Sequence, residues 1–267
     1  MLSVRFLARA VALVSLGAVA GSIVAAEERA VPSGYLAPDA FDLLAVLPPA
    51  PMPDDPRGQA DRAIFRKTRA LQGTPRWDMA TSDVESGPAD MMRDFSCAVG
   101  VSLTPANAPR TAALIRRAGS DTGRGTGRAK TFFKRQRPFL IDDGVICQPR
   151  EEVADSYDYP SGHTTAGWTW AMLLARLAPD RATQVLARGR AYGESRIVCG
   201  VHNASAVEAG RLSATATLTA MEDVPAFRGD LAAARKEMDG LRADAAVPRP
   251  DAAQCGREAR LVAMPVL

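Results

Sequence analysis

The chain contains two histidines, His163 and His202, and each sits among residues suited to an anion. His163 belongs to Tyr159-Pro160-Ser161-Gly162-His163-Thr164, and His202 closes the run from Ser195-Arg196 through Gly200. A third cluster lies upstream, where Lys130 precedes Arg137-Pro138 with Thr131 to Gln136 between them. A phosphate group needs several cations, with hydroxyl and backbone donors arranged around its oxygens. Arginine offers a planar fork and lysine a point charge, while Ser-Gly at a helix start offers unpaired N–H groups. Lys130, Arg137, Ser161, Gly162 and Arg196 together supply that set. Phosphoryl transfer asks mostly for in-line positioning and charge stabilisation, and two imidazoles beside the site can divide attack from proton donation. Taken one at a time, each of these residues also reads as an ordinary solvated polar group.

The order K-x6-R-P, then P-S-G-H, then S-R-x5-H resembles the three-part signature of the phosphatidic acid phosphatase type 2 superfamily. That group includes the bacterial class A non-specific acid phosphatases and the vanadium haloperoxidases. Size, an export signal and the lack of later spans make the chain most similar to the class A acid phosphatases. The arm from Leu36-Ala37-Pro38-Asp39 to Pro48-Pro49 and the stretch Asp94-Phe95-Ser96-Cys97-Ala98 carry the same likeness. The resemblance covers most of residues 35 to 222. It implies that Lys130, Arg137 and Arg196 hold the phosphoryl oxygens, helped by the Ser161 hydroxyl and the Gly162 amide. It further implies that His202 is the nucleophile that becomes phosphohistidine and that His163 protonates the leaving alcohol. No metal and no cofactor are expected.

One position departs from the pattern. The family places an aspartate four residues after the nucleophilic histidine, and this chain has Ala206 there. A carboxylate on the far ring nitrogen fixes the tautomer and stabilises the charge the ring acquires. Glu208 is expected to be a capping-box partner of Ser205 and a poor replacement. Ser205, Asp155 and Asp158 remain as possible partners of the ring. Two functions therefore stand side by side: an exported acid phosphatase acting on phosphomonoesters, or a catalytically impaired relative that binds phosphate or phospholigands. A haloperoxidase and a membrane lipid phosphatase fit less well.

The elements that position these residues read as helical. Leu, Ala, Val and Arg are abundant, and β-branched or aromatic runs are scarce. One all-α domain is expected, a helical bundle over residues 59–243. Residues 1–26 read as a signal peptide, with Arg5 and Arg9 ahead of an apolar stretch and small residues at Val24-Ala25-Ala26. An uncleaved anchor is the alternative. Removing the signal leaves 31 basic against 30 acidic residues, a balance unsuited to nucleic-acid binding by bulk charge. The expected partners are small phosphorylated substrates, with no nucleic acid and no membrane after cleavage. Self-association is left open, and the expected location is periplasmic or secreted.

Residues 27–58 are proline-rich and read as an extended arm, and residues 244–267 read as a loose tail unless Cys255 ties it down. Helical segments are expected around Ile64, Trp77, Phe95, from Thr104 to about Gly119, and from Ser161 to Leu177. Three more are expected: one capped by Asp180, one opened by a Ser205/Glu208 capping box, and a last one through Phe227 and Leu241. The glycines at 123, 125 and 127 are expected to loosen the segment presenting Lys130. Four cysteines without metal-ligand spacing suggest two disulfides in an oxidising compartment. Three pairings are open, and Cys97–Cys147 with Cys199–Cys255 is the one favoured.

Overall fold

The computed structural model describes residues 33–267, so the segment expected to be a signal peptide and the first residues of the arm lie outside the described residues. Among the described residues the chain is all-α. The helices are α1 Pro56–Thr68, α2 Pro75–Ser82, α3 Pro88–Val99, α4 Pro109–Phe133, α5 Gly162–Leu177, α6 Ala182–Val198, α7 Ala204–Met221, α8 Pro225–Ala243 and α9 Ala252–Ala263. Five of them, α1 to α4 and α8, open on proline. Its fixed φ suits the first turn, and the missing N–H would have no helical partner there. Asp55, Thr74 and Asp251 cap α1, α2 and α9 through their side chains.

The centre is α5, which packs against α4, α6 and α7. Its apolar stripe of Trp170, Leu173, Leu174 and Leu177 is buried with Met91, Met92 and Phe95 of α3, Leu114 of α4, and Tyr192 of α6. Small residues let the helices close tightly at the end where α5 begins. A Cβ on Gly210 of α7 would stand 2.7 Å from the Ser161 carbonyl oxygen, so glycine is required for α7 to cross that turn. The arm from Ser33 runs along α4: the Tyr35 and Leu36 amides donate to Asp121, and Arg124 reaches back to the Leu36 carbonyl.

Several expectations are corrected. The segment opened by Thr104 does not end near Gly119. Thr104 exchanges hydrogen bonds with Asn107 in a turn, and α4 then starts at Pro109 and runs unbroken through Gly119, Gly123, Gly125 and Gly127 to Phe133. Burial of Leu114, Ile115, Ala118, Thr122, Thr126 and Ala129 along one face outweighs the glycine cost of roughly 1 kcal/mol each. Asp180 does not cap α6, which starts at Ala182. It pairs instead with Arg242 of α8. Ser205 and Glu208 form no capping box: Asn203 is the N-cap of α7, Ser205 bonds to Asp61 of α1, and Glu208 faces solvent near Arg57.

The favoured disulfide pairing is wrong, because the observed bridges are Cys97–Cys255 and Cys147–Cys199. The turn through Gly200, at φ +81°, brings Cys199 beside the loop carrying Cys147, whose amide donates to the Cys199 carbonyl. Cys255 does tie down the C-terminal segment, which forms α9 against α6 and α2. No helix among the described residues is long and apolar enough to cross a membrane.

Cys97–Cys255 spans 158 residues, a long loop whose closure restricts the unfolded chain. The double variant Cys97→Ser/Cys255→Ser should lose about 2–4 kcal/mol of unfolding free energy. The urea midpoint measures it, and an unchanged midpoint would contradict the prediction.

Candidate active site

Six of the seven residues singled out in the sequence line one cavity of about 510 Å³: Lys130, Arg137, Gly162, His163, Arg196 and His202. They arrive from four places. Lys130 stands in the last turn of α4, and Arg137 follows it in the connecting loop. Gly162 and His163 open α5, and Arg196 lies in the last turn of α6. His202 sits in the turn before α7. The seventh residue, Ser161, is fully buried directly behind the cavity as the N-cap of α5. Its Oγ accepts hydrogen bonds from the Thr164 amide and hydroxyl, leaving its own proton to be directed elsewhere. The amides of Gly162 and His163 precede the first helical bond, so the positive end of α5 faces the cavity.

The cations are held by neutral acceptors. Lys130 donates to the Tyr157 carbonyl. Arg137 donates from Nε to Ser156 O at 2.7 Å and from Nη1 to Val201 O at 2.8 Å. Arg196, 1% exposed, donates from Nη2 to Gln148 Oε1, while its Nε and Nη1 have no partner at all. A buried guanidinium with two idle donors costs free energy unless an acceptor arrives. Burial pulls Lys130 down to about 8 and Arg196 down to about 10, and Arg137 adds repulsion at both. An oxyanion in the cavity relieves both burdens.

The two rings are fixed in opposite senses. His202 Nδ1 lies 2.9 Å from Asp158 Oδ1, and its Nε2 lies 3.1 Å from Arg137 Nη1. A guanidinium only donates and an ionised carboxylate only accepts, so the proton sits on Nδ1 and Nε2 carries a lone pair. His163 Nε2 lies 2.8 Å from the Val84 carbonyl, which accepts that N–H and leaves Nδ1 to exchange a proton. The His163 ring stacks on Tyr192, centroids 6.1 Å apart. Burial, then Arg196, pulls His163 down to about 3. Burial also holds His202 well below the usual histidine range, with Arg137, Lys130 and Arg196 adding to the effect.

Sequence reasoning left the partner of the His202 ring open and missed the groups behind it. Asp158 is one of the two distant aspartates weighed there, and it is the one that meets His202; Asp155 is exposed and has no contact with the ring. Arg135, next to the motif arginine, bridges Asp61 at 2.8 Å and Asp158 at 3.4 Å. Asn203 holds Asp158 through its backbone and side-chain amides. Gln148 holds Arg196 from the loop that the Cys147–Cys199 bridge anchors beneath it. None has a sequence motif of its own. Among the described residues no three His, Cys, Asp or Glu side chains are grouped to hold a metal.

With only two histidines, ring titrations are readily assigned by NMR. In the ligand-free protein neither ring should gain a proton as pH falls from 7 to 5. A tetrahedral oxyanion such as vanadate should raise His163, because an added negative charge favours its charged form. A His163 that titrates near 6.5 in the free protein would contradict this electrostatic picture.

Comparison with known proteins agrees with the geometry. The PAP2 superfamily matches residues 112–228, which contain every residue named in the cavity motifs. An acid phosphatase of Zymomonas mobilis is 40% identical over 85% of this chain and 86% of its own length. A non-specific acid phosphatase of Salmonella typhimurium is 34% identical over 72% and 78% respectively. One from Providencia stuartii is 32% identical over 76% and 83%. The all-α fold, the cavity built from three short motifs and this length of shared sequence lead to one assignment: the chain belongs to the PAP2 superfamily, among its acid phosphatases.

Proposed function

We propose that the protein is an exported acid phosphatase that hydrolyses small phosphomonoesters through a phosphohistidine at His202. The observation that carries this reading is the pairing of a lone-pair nitrogen, His202 Nε2, with idle donors on Arg196 in one cavity. Export is supported by the two disulfides and by the N-terminal sequence.

The chemistry follows from the contacts. The phosphoryl oxygens take donors from Arg196, Arg137, Lys130, the start of α5 and the free proton of Ser161. Phosphoryl transfer is mostly in-line positioning with stabilisation of charge on these oxygens. Nε2 of His202 attacks phosphorus, the bond to the ester oxygen breaks, and that oxygen takes the proton from His163 Nδ1. The alcohol leaves. Water then attacks phosphorus and gives a proton to His163, the N–P bond breaks, and phosphate departs with His202 neutral again.

The pH dependence has a definite sign. His202 must be neutral, a condition met far into the acid range because its pKa is depressed. One proton must be present on the complex, carried by His163 or by a monoester whose second pKa is about 6. Activity is therefore favoured below about pH 6, where the substrate itself brings the proton. The impaired-relative reading rested on Ala206, and the contact from Asp158 to His202 removes its main support.

The test separates the two histidines. His202→Ala should abolish hydrolysis of every ester while vanadate still binds. His163→Ala should lose roughly 10²–10⁴-fold on alkyl phosphates, whose leaving oxygen needs a proton. The same variant should lose far less on p-nitrophenyl phosphate, whose leaving group departs as an anion. Equal losses on both substrates would remove His163 from the acid role, and an active His202→Ala would sink the mechanism.

A further inference from the structure

We infer that Asp158 is the positioning residue of the nucleophile, and that it supplies from a different loop the carboxylate that Ala206 lacks. The inference rests on the proposed role of His202 and deepens it. The Asp158 side chain is fully buried. Its Oδ1 faces His202 Nδ1 at 2.9 Å and the Asn203 amide at 3.1 Å. Its Oδ2 faces Asn203 Nδ2 at 2.9 Å and Arg135 Nη1 at 3.4 Å. All four groups are donors, so the site is built for a carboxylate with no proton of its own. Burial pushes the acid up, and Arg135 and Asn203 oppose that push.

The loop holding Asp158 is pinned at both ends. The Asp158 amide donates to Arg135 O at 2.8 Å, and the Ser161 amide donates to Ala206 O at 2.9 Å. Between them the Tyr159 ring packs edge-on against Phe133, and its hydroxyl donates to Pro48 O at 2.8 Å. Ala206 is fully buried in the same cluster as Tyr159, Ala129 and Leu47. The short side chain at 206 therefore lies against the loop that delivers the carboxylate. Arg135 is itself fixed by Asp61 and Ser205, which gives the carboxylate a rigid counter-charge. When His202 is phosphorylated on Nε2 the ring becomes cationic with its proton on Nδ1. Asp158 stabilises that charge where it develops, an effect on kcat and not on substrate binding.

The experiment combines variants with NMR on the intact protein. Asp158→Asn keeps the shape and removes the charge, and kcat should fall by roughly 10²–10⁴-fold, on the scale set by neutralising a histidine-orienting aspartate elsewhere. KM and vanadate affinity should change less than about threefold, because the cations that bind the oxyanion are untouched. Ala206→Asp in the parent should not raise kcat, since Nδ1 already has its acceptor. In the parent, ¹⁵N spectra should show His202 as the Nδ1–H tautomer, a readout that needs no variant to fold. A kcat within threefold of the parent in Asp158→Asn would overturn the inference, as would vanadate affinity lost in step with kcat. So would a tenfold gain from Ala206→Asp or an Nε2–H tautomer in the parent. His202→Ala is the control. If it stays active, the nucleophile assignment has failed; if it is dead while Asp158→Asn is active, only the role of Asp158 has.

Discussion

Three like charges gathered out of water are the constraint around which this molecule is arranged. Lys130, Arg137 and Arg196 repel one another and each loses hydration in the cavity, as the lowered pKa of all three records. No carboxylate pairs directly with Lys130 or Arg196, which donate to a backbone carbonyl and an amide oxygen. Asp158, whose charge acts on Lys130 and Arg137, lies behind the His202 ring. The cavity is thus electrostatically incomplete by construction, and a dianion is the ligand that completes it. The rest of the fold keeps these groups from relaxing apart. The ends of α4 and α6, the start of α5 and the turn before α7 meet at one point, and Gly210 allows the last of these helices to approach.

Burial governs the histidines, and the same positive field reinforces it. Together they keep both rings neutral in conditions where a solvated histidine would be charged. In the proposed mechanism that preserves a nucleophilic lone pair on His202 at acid pH, and it makes protonation of His163 contingent on the negative charge of the substrate. Supporting layers extend outward from the rings. Val84 fixes one tautomer, Asp158 with Asn203 and Arg135 fixes the other, and Asp61 of α1 fixes Arg135. The Cys147–Cys199 bridge holds the loop from which Gln148 reaches Arg196.

What the sequence made legible was the set of motif residues that the fold gathers around one cavity. Lys130, Arg137, Gly162, His163, Arg196 and His202 could be named because each sits at a fixed spacing within one segment. The helical class was equally readable from composition and apolar periodicity. The supporting contacts were not, because they join residues far apart in the chain. Asp158 and His202 are 44 residues apart and Asp61 and Ser205 are 144 apart. Ser205 looked like half of a capping box because local pattern favours that reading. Asp61, arriving from α1, accepts both its amide and its hydroxyl instead. The glycines of α4 misled for the opposite reason: their local cost is real, and a buried face along the whole helix outweighs it. Disulfide pairing likewise depends on which loops the fold brings together.

The proposed covalent bond between phosphorus and His202 can be trapped chemically. The protein is mixed with a ³²P-labelled monoester, quenched in alkali within milliseconds, digested and mapped. Label that survives base and is lost in acid is expected on the peptide containing His202 and absent from the His202→Ala variant. Label on the peptide containing His163, or sustained turnover with no trapped label under any quench, would contradict it.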